Sequence, residues 1–388
     1  MRIAIVSDYY YPSLGGITEH VHGQALSLQR RGHDVTVITG HIWRPPKTID
    51  EDRTSERDLP FEIIRIGQAL RFYGNGSQTL HTFHPLMLQK LRKLFRERQF
   101  DIVHGHAPYT PGIAQVVPYV VPPRTTTIGT FHSVFSPGPL INAFARFLRP
   151  PIAKLHGRIV VSEACVDSLR PYFPFDYTVI PNGIDERHFS PDAEPISELR
   201  DGKKNILFLG RFDPRNGLQT MIDAFTQVHR ARGNDVRLVV VGDGPLRAYY
   251  SRRVPQDVEQ DVVWVGRVNT QRPRYYASAD VFCTPCDRAS FGMVLLEAMS
   301  CGVPVVASAI SGFKLLMEHE RQGLLVPDAR DPAAFAAALT RVLDDPEGRT
   351  RMGAEGRCRA LEQYAWTSVA ERLEDYYLQT IDARGRRE

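Results

Sequence analysis

The sequence predicts an α/β protein built from two doubly wound domains with parallel sheets. Short runs of β-branched residues alternate with longer helical patterns along the whole chain, and this alternation is typical of βαβ units. A length of 388 residues exceeds one ordinary hydrophobic core and favours two domains of about 180 residues each. The predicted strands are 3–6, 35–39, 102–104, 125–131 and 159–162, then 206–210, 238–242, 262–265, 281–284 and 303–307.

The predicted domains are separated by a segment without a clear hydrophobic period. Residues 186–204 are rich in Pro, Gly and charge, which predicts a linker between a first domain, 1–185, and a second domain, 205–365. Residues 366–388 are predicted to form an acidic, aromatic helix that packs back on the first domain, followed by a frayed basic tail.

Composition excludes several classes of function. The net charge of +4 is too small for electrostatic binding of nucleic acid, so no nucleic-acid partner is expected. Five scattered cysteines make no disulfide framework and favour a reducing, cytoplasmic location. Cys283 and Cys286 form C-x-x-C without the second ligand pair of a zinc site, and no metal is expected.

No run reaches the roughly 18 apolar residues of a membrane span, so membrane contact is expected to be peripheral, at the inner face.

Candidate functional residues are sought after the strands, because ligands of open α/β sheets bind at the carboxyl ends of strands. Gly15 and Gly16 precede an amphipathic helix, where two glycines allow an anion to approach the positive helix N-terminus. The alternative is a tight turn without a ligand. The fingerprint G-x-G-x-x-G is absent, which disfavours a dehydrogenase, and the absence of G-x-x-x-x-G-K-[ST] excludes a P-loop ATPase.

Two further features of the first half suggest a substrate site and a membrane surface. His132 ends a predicted strand, where an imidazole either hydrogen-bonds a sugar hydroxyl or leaving group or is a satisfied structural histidine. Residues 139–155 suit the interface of an anionic bilayer, the alternative being an ordinary surface helix whose continuous length Pro150 and Pro151 limit. This segment interleaves apolar Leu140, Phe144, Phe147, Leu148, Ile152 and Leu155 with basic Arg146, Arg149 and Lys154.

The second half contains a loop that suits an anionic ligand. Residues 210–218 follow a predicted strand and open a helix. Arg211 and Arg215 in this loop are placed to bind a diphosphate through planar guanidinium groups, unless both are simply solvated.

A second candidate loop follows the strand at 281–284. Ser290 is a predicted N-cap, and Gly292 leaves the first turn of the helix open. Phe291 begins an apolar stripe that continues through residues 294, 295, 298 and 299. Glu297 lies about 240° round the helix from Phe291, which leaves its carboxylate free to face the interdomain cleft or water.

The order of these motifs resembles that of retaining glycosyltransferases of family GT4, which have the GT-B fold. The resemblance covers nearly the whole chain. Within the family, residues 130–132, 139–155 and 157–162 look most similar to phosphatidylinositol mannosyltransferases. The motifs that carry the resemblance are Gly15-Gly16, Pro-Asn-Gly-Ile-Asp at 181–185, Gly-Asp-Gly-Pro at 242–245, Val-Gly-Arg at 265–267, Phe291 and Gly-Val-Pro-Val-Val at 302–306.

The resemblance implies a hexosyltransferase that binds an NDP-sugar in a cleft and needs no metal or other cofactor. Glu297 would contact the ribose hydroxyls, Arg211 the diphosphate and His132 the transferred sugar. The departing phosphate would act as base for the acceptor hydroxyl during front-face transfer with retention. The implied catalytic residues are His132, Arg211 and Arg215, and the implied donor-binding residues are Gly15, Gly16, Arg211, Asn216, Ser290, Phe291, Gly292 and Glu297.

Two positions depart from the family pattern. Asn216 stands where the family has Lys, and Ala289 stands where it has Glu. Asp287, two residues before Ala289, is a candidate replacement for the lost carboxylate. Two hypotheses remain: an active transferase in which Arg215 and the helix N-termini at Gly16 and Gly292 stabilise the leaving charge, or a degenerate protein that binds a nucleotide or partner without turnover.

The acceptor is expected to be lipid-linked or amphiphilic, the alternative being a soluble small molecule. The only literal D-x-D, Asp50 to Asp52, is expected to be a solvated charge cluster and not a metal site.

Overall fold

A computed structural model describes residues 1–43, 58–74, 77–134 and 139–386, with the backbone alone for 73, 74, 77, 78 and 139–144. Asp50 and Asp52 and the side chains of Leu140 and Phe144 lie outside the described residues. The described chain forms two compact units. The first contains the residues up to Gly183 and those from Trp366 onward, and the second contains Ile184–Ala365.

An eight-stranded sheet flanked by helices forms the first unit. The elements are β1 (Arg2–Val6), α1 (Gly16–Arg30), β2 (Asp34–His41), β3 (Glu62–Gly74), β4 (Ser77–Phe83), α2 (Met87–Arg98), β5 (Ile102–His106), α3 (Val117–Val120), β6 (Thr126–Phe131), α4 (Pro139–Ala153), β7 (Gly157–Val160), α5 (Glu163–Leu169) and β8 (Thr178–Val179). The strand order is β4-β3-β2-β1-β5-β6-β7-β8, parallel except for the β3–β4 pair. One apolar core includes residues of α1 and another residues of α2 and α3, so β5 and β6 are buried throughout.

The second unit is a six-stranded sheet with helices. Its elements are β9 (Lys204–Leu209), α6 (Leu218–Arg232), β10 (Val236–Val241), α7 (Arg247–Ser251), β11 (Val262–Gly266), α8 (Arg272–Ala277), β12 (Val281–Thr284), α9 (Met293–Ser300), β13 (Val305–Ser308), α10 (Ser311–Leu316), β14 (Gly323–Val326), α11 (Pro332–Asp344) and α12 (Pro346–Tyr364). The strand order β11-β10-β9-β12-β13-β14 is parallel throughout. This is the doubly wound order, in which the direction of winding reverses between β9 and β12.

The last helix, α13 (Trp366–Gly385), completes the first unit. Its residues Trp366, Val369, Leu373 and Tyr377 are buried in the same core as β1 and α1. Trp366 lies so close to α1 that a methyl group on Gly23 would be 2.0 Å from its indole Nε1. The first unit is therefore assembled from two parts of the chain that are far apart in sequence.

All ten predicted strands are present, and the two Rossmann-like α/β units are confirmed. The segment 186–204, predicted as a linker, instead packs as part of the second unit. Phe189 is 4% exposed, and its carbonyl oxygen accepts a hydrogen bond from Ser300 Oγ at 2.7 Å. Further along, Asn205 Nδ2 donates to the Leu199 carbonyl at 2.8 Å. These contacts fix a segment whose sequence has no regular period.

Candidate active site

In the second unit, the loops after β9 and β12 lie side by side because these strands are neighbours in the sheet. The Asp287 amide donates to the Arg215 carbonyl at 2.9 Å and joins the two loops. Gly217, with φ +76°, allows their close approach, since a Cβ there would lie 2.0 Å from the Pro285 carbonyl oxygen. The two loops therefore form one surface at the winding reversal, where doubly wound domains bind ligands.

Three arginines concentrate positive charge on this surface. The Arg211 side chain is 41% exposed, and its Nη2 lies 3.2 Å from Asp213 Oδ2. Arg215 Nε is buried and has no hydrogen-bond partner among the described residues. Burial, and then the nearby guanidinium groups of Arg211 and Arg288, lower the pKa of Arg215. Because a guanidinium remains charged in proteins, this cluster favours a multiply charged anion such as a diphosphate.

The side chain of Asn216 stabilises the loop that contains Arg211. Its Nδ2 donates to the Arg211 carbonyl oxygen at 2.7 Å, and the Cys286 Sγ lies 3.8 Å from its Oδ1. At the position where the family has Lys, this chain thus has a carboxamide that stabilises the loop backbone. A direct contact of Asn216 with the donor stays a prediction.

Helix α9 begins at Met293 with Gly292 as its N-cap, so the prediction of Ser290 as N-cap is wrong. Gly292 adopts φ +112°, and a Cβ there would lie 2.7 Å from Phe313 Cε1, which leaves space for glycine alone. Phe291 is 5% exposed and packs edge-on against Tyr364 at 5.7 Å between ring centroids. No side chain caps this helix, so its N-terminal dipole faces the loop surface without a side-chain acceptor.

Glu297 is buried and paired, which contradicts the expectation that its carboxylate is free to face a cleft or water. The residue is 1% exposed. Arg272 Nη1 donates to Oε1 at 2.6 Å, and the Tyr276 hydroxyl donates to Oε2 at 3.0 Å. Both partners belong to α8, which packs beside α9. Helix α8 therefore covers the face of α9 that carries Glu297, which the helical period alone predicted to be exposed. The contact of Glu297 with ribose stays a prediction.

Gly15 and Gly16 lie at the start of α1 in the first unit. Gly15 is the N-cap, and no side chain caps the helix. A Cβ built on Gly15 would meet no described atom within 4 Å, so the space beside it is open. An uncapped N-terminus of a 15-residue helix next to open space suits a phosphate group.

His132 belongs to a cluster of four buried histidines in the first unit. Its Nε2 lies 2.9 Å from His106 Nδ1. The ring of His20 lies 5.0 Å from that of His132 and 5.3 Å from that of His106, between centroids. His104 stacks on His106 at 4.6 Å between ring centroids, with Nδ1 2.6 Å from the Tyr377 hydroxyl and Nε2 2.6 Å from Thr130 Oγ1.

Burial keeps these imidazoles neutral. It lowers the pKa of His20 and His104 to about 3, and it lowers the pKa of His106 and His132 well below the ordinary value. A neutral imidazole has one N–H donor and one acceptor nitrogen, which suits hydrogen bonding to a sugar hydroxyl.

From the sequence, only His132 of this cluster is predicted. The available signal was the alternation of His104 and His106 on one strand, which places both on one face of the sheet. Thr130 lies opposite His106 in the register of β5 and β6, so His132, just past β6, reaches the same region. Strand order and the return of α13 with Tyr377 bring the cluster together, and neither follows from spacing.

Helix α4 presents basic and aromatic side chains to solvent. Ala145, Leu148 and Ile152 are buried, whereas Phe147 is 76% exposed between the exposed residues Arg146 and Arg149. The helix extends past Pro150 and Pro151 to Ala153, where the sequence predicted a limit. None of the helices in the described part of the chain has both the length and the apolarity needed to cross a bilayer.

Family models match both halves of the chain. The Glycosyltransferase Family 4 model matches residues 14–188, and the Glycosyl transferases group 1 model matches residues 190–359. A phosphatidyl-myo-inositol mannosyltransferase of Mycobacterium leprae is 31% identical over 388 residues, covering 99% of this chain and 98% of that protein.

Two solved structures share the fold. Sucrose-phosphate synthase from Thermosynechococcus elongatus has a TM-score of 0.74 at 22% identity, covering 99% of this chain and all of that one. HepE of Anabaena in complex with UDP has a TM-score of 0.76 at 17% identity, covering 98% of this chain and all of that one. The family matches, the full-length relative and the two Rossmann-like units together place this chain in glycosyltransferase family 4, with the GT-B fold.

Proposed function

We propose that the protein transfers a hexose, of the mannose or glucose type, from an NDP-sugar to a hydroxyl of a lipid-linked or amphiphilic acceptor, with retention and without a metal ion. The observation that carries the proposal is the cationic surface after β9 and β12. There, Arg211 is partly exposed, Arg215 has a buried unpartnered Nε, and the N-terminus of α9 has no side-chain cap. The activity named for the mycobacterial relative supports the acceptor class, and UDP bound to HepE supports the donor class.

In the proposed reaction, this surface must stabilise the negative charge that develops on the leaving diphosphate. Donors fixed in place before the reaction stabilise such charge without reorganising. Arg211 and Arg215 supply planar guanidinium donors, and the dipole of α9 adds positive potential at Gly292. These groups would stabilise the negative charge of the leaving diphosphate, as a divalent cation does in other transferases. Transfer is therefore proposed to proceed without a metal ion.

The first unit is proposed to bind the phosphates and the sugar. The open N-terminus of α1 at Gly16 would accept phosphate oxygens through backbone amides. His132 is neutral and hydrogen-bonded to His106, and it would form a hydrogen bond with a hydroxyl of the transferred hexose. In this role it would not remove the proton of that hydroxyl. This arrangement orients the sugar, while the departing phosphate oxygen takes the acceptor proton.

A donor screen tests the proposed activity. UDP-, GDP- and ADP-hexoses are compared by thermal unfolding, because a ligand at 100 times its Kd adds about 2.7 kcal/mol of stability. One nucleotide series is expected to raise Tm, and its sugar is expected to be released slowly to water without acceptor. Stabilisation without any hydrolysis or transfer would favour the degenerate binding protein.

The two departures from the family pattern are the observation that favours that degenerate alternative, and a double variant tests it. Asn216→Lys with Ala289→Glu is expected to raise kcat, because it restores a cation for the diphosphate and a carboxylate for the sugar. Steady-state kinetics with the stabilising donor measure the change. A fall in kcat would show that the site has been rebuilt around Arg215 or Asp287, and would contradict the family roles of these two positions.

The exposed side chains of Arg146, Phe147 and Arg149 on α4, together with the exposed Lys154 that follows the helix, are proposed to bind an anionic membrane surface. Phe147 is 76% exposed and is flanked by guanidinium groups, a combination that suits the boundary between head groups and acyl chains. Each basic residue near an anionic surface contributes about 1 kcal/mol.

Co-sedimentation with anionic liposomes tests the membrane surface. The wild-type protein is expected to bind, and to bind less at physiological than at low salt. The Arg146→Glu, Arg149→Glu variant is expected to lose binding. A matched control, Arg252→Glu with Arg253→Glu in the second unit, makes the same charge change at exposed positions and is expected to retain it. Equal loss in both variants, or no binding by the wild type, would contradict the assignment and favour a soluble acceptor.

A further inference from the structure

We propose that His20, His106 and His132 form a binding site for one transition-metal cation of the zinc type in the first unit. The three side chains are buried, and one ligand nitrogen of each lies within 4.8 Å of the others. The site uses none of the arginines or helix N-termini assigned above to the donor.

Unpartnered nitrogen atoms are the first argument. His20 Nδ1 and His106 Nε2 are buried and have no hydrogen-bond partner among the described residues. The two residues are 2% and 0% exposed, so bulk solvent does not reach them. Buried polar atoms are nearly always paired, and two orphaned imidazole nitrogens in one cluster therefore indicate a missing ligand.

The fourth histidine of the cluster, His104, is not available as a ligand, which leaves three. Both nitrogens of His104 already have partners, the Tyr377 hydroxyl and Thr130 Oγ1, each at 2.6 Å. His104 is thus a packing neighbour of His106 and not a ligand. Three imidazoles leave one coordination position open for water or an oxygen ligand, as in zinc sites with three protein ligands.

The spacing and chemistry of the cluster fit a borderline-soft cation. Zinc–nitrogen bonds of about 2.0–2.1 Å put tetrahedral ligand nitrogens roughly 3.4 Å apart. The observed limit of 4.8 Å requires shifts of about 1.5 Å at most, within the range of imidazole rotation. A site of neutral imidazoles without a carboxylate favours Zn²⁺, Cu²⁺ or Ni²⁺ over Mg²⁺ or Ca²⁺.

Metal binding must replace the hydrogen bond between His106 and His132. A neutral pair joined by one N–H···N bond has a single lone pair on its two outer nitrogens, so both rings cannot ligate while that bond persists. Because coordination also requires the rings to shift toward one another, it moves His132 away from the position in which it would contact a hydroxyl of the substrate. Inhibition of transfer by the cation follows from this, and this step rests on the proposed function of His132.

Competition with a chromophoric zinc chelator tests the site directly. The metal-free, full-length protein is expected to take up one equivalent of Zn²⁺ with a micromolar or lower Kd, and a hundredfold excess of Mg²⁺ is expected not to displace it. His20→Gln and, separately, His106→Gln are expected to weaken binding at least tenfold. The control His319→Gln changes an exposed histidine of the second unit and is expected to bind like the wild type.

Unfolding curves of each variant establish that the compared proteins are folded, and a Co²⁺ spectrum gives a second readout because imidazole coordination changes its visible bands. Zinc uptake that His20→Gln and His106→Gln leave unchanged would overturn the site, as would the absence of uptake by the wild type. In the transfer assay, Zn²⁺ is expected to inhibit the wild type and not His20→Gln. Binding without inhibition would support the metal site and contradict the role proposed for His132.

Discussion

Replacement of Arg211 by alanine is expected to lower kcat by about 100- to 1,000-fold. The guanidinium is 41% exposed on the loop after β9, next to Arg215, where the leaving diphosphate is proposed to bind. Removal of one preorganised donor to a developing negative charge costs this much in other enzymes. Initial rates of transfer at saturating donor, with nucleotide affinity measured by calorimetry, separate the loss in kcat from a loss in binding.

The matched control is Arg230→Ala in the same unit. Arg230 lies on α6 and is paired with Asp257 by an exposed ion pair at 2.8 Å, so its loss is expected to change stability and kcat very little. A loss in kcat below about threefold for Arg211→Ala, or an equal loss in the control, would contradict the assignment of the diphosphate to this loop.

Glu297→Ala is expected to destabilise the second unit by about 3–5 kcal/mol, the usual cost of breaking a buried ion pair. The substitution leaves the Arg272 guanidinium, whose side chain is only 12% exposed, without its carboxylate partner. It also removes one of the two acceptors of the Tyr276 hydroxyl, the other being the Val294 carbonyl oxygen. Urea unfolding measures the effect. A change in unfolding free energy below about 1 kcal/mol would contradict the structural role of the pair.

A compensated variant separates this structural role from ribose binding. Arg272→Met with Glu297→Leu replaces both charges by apolar groups, and such replacements are often neutral for stability. If Glu297 also binds ribose, the double variant is expected to fold and to bind nucleotide about 1–3 kcal/mol more weakly, as for a lost charged hydrogen bond. Wild-type nucleotide affinity in the double variant would limit Glu297 to the support of α8 and α9.

The predicted and observed folds differ at strands whose sequences lack a run of β-branched residues. The ten predicted strands are runs rich in β-branched residues, which is a strong sequence signal for a strand, and all of them except the edge strand β11 have a neighbouring strand on both sides. β3 was missed because its 13 residues include charged and polar side chains, and it pairs with β4, an edge strand. β8 was missed because it has only two residues, and β14 because its sequence, Gly-Leu-Leu-Val, contains a single β-branched residue.

The candidate site shows the same division. Arg211, Arg215 and the helix N-termini at Gly16 and Gly292 were predicted as candidates because loops after parallel strands are where ligands bind, although the N-cap of α9 was placed at Ser290 and not at Gly292. Glu297 was misjudged because helical periodicity describes one helix and cannot show that α8 supplies Arg272 and Tyr276. The histidine cluster joins α1, β5 and the end of β6, and these elements become neighbours through the strand order and the packing of α13.

Analysis of the product tests the central claim most directly. The purified protein is incubated in EDTA with the NDP-hexose that stabilises it and with vesicles containing phosphatidylinositol, and the lipids are extracted for mass spectrometry and NMR. We expect a hexosyl lipid with the anomeric configuration of the donor, formed one for one with nucleoside diphosphate. Free hexose as the sole product, an inverted anomer, or a complete requirement for added metal would contradict the proposed metal-independent, retaining transfer to a lipid.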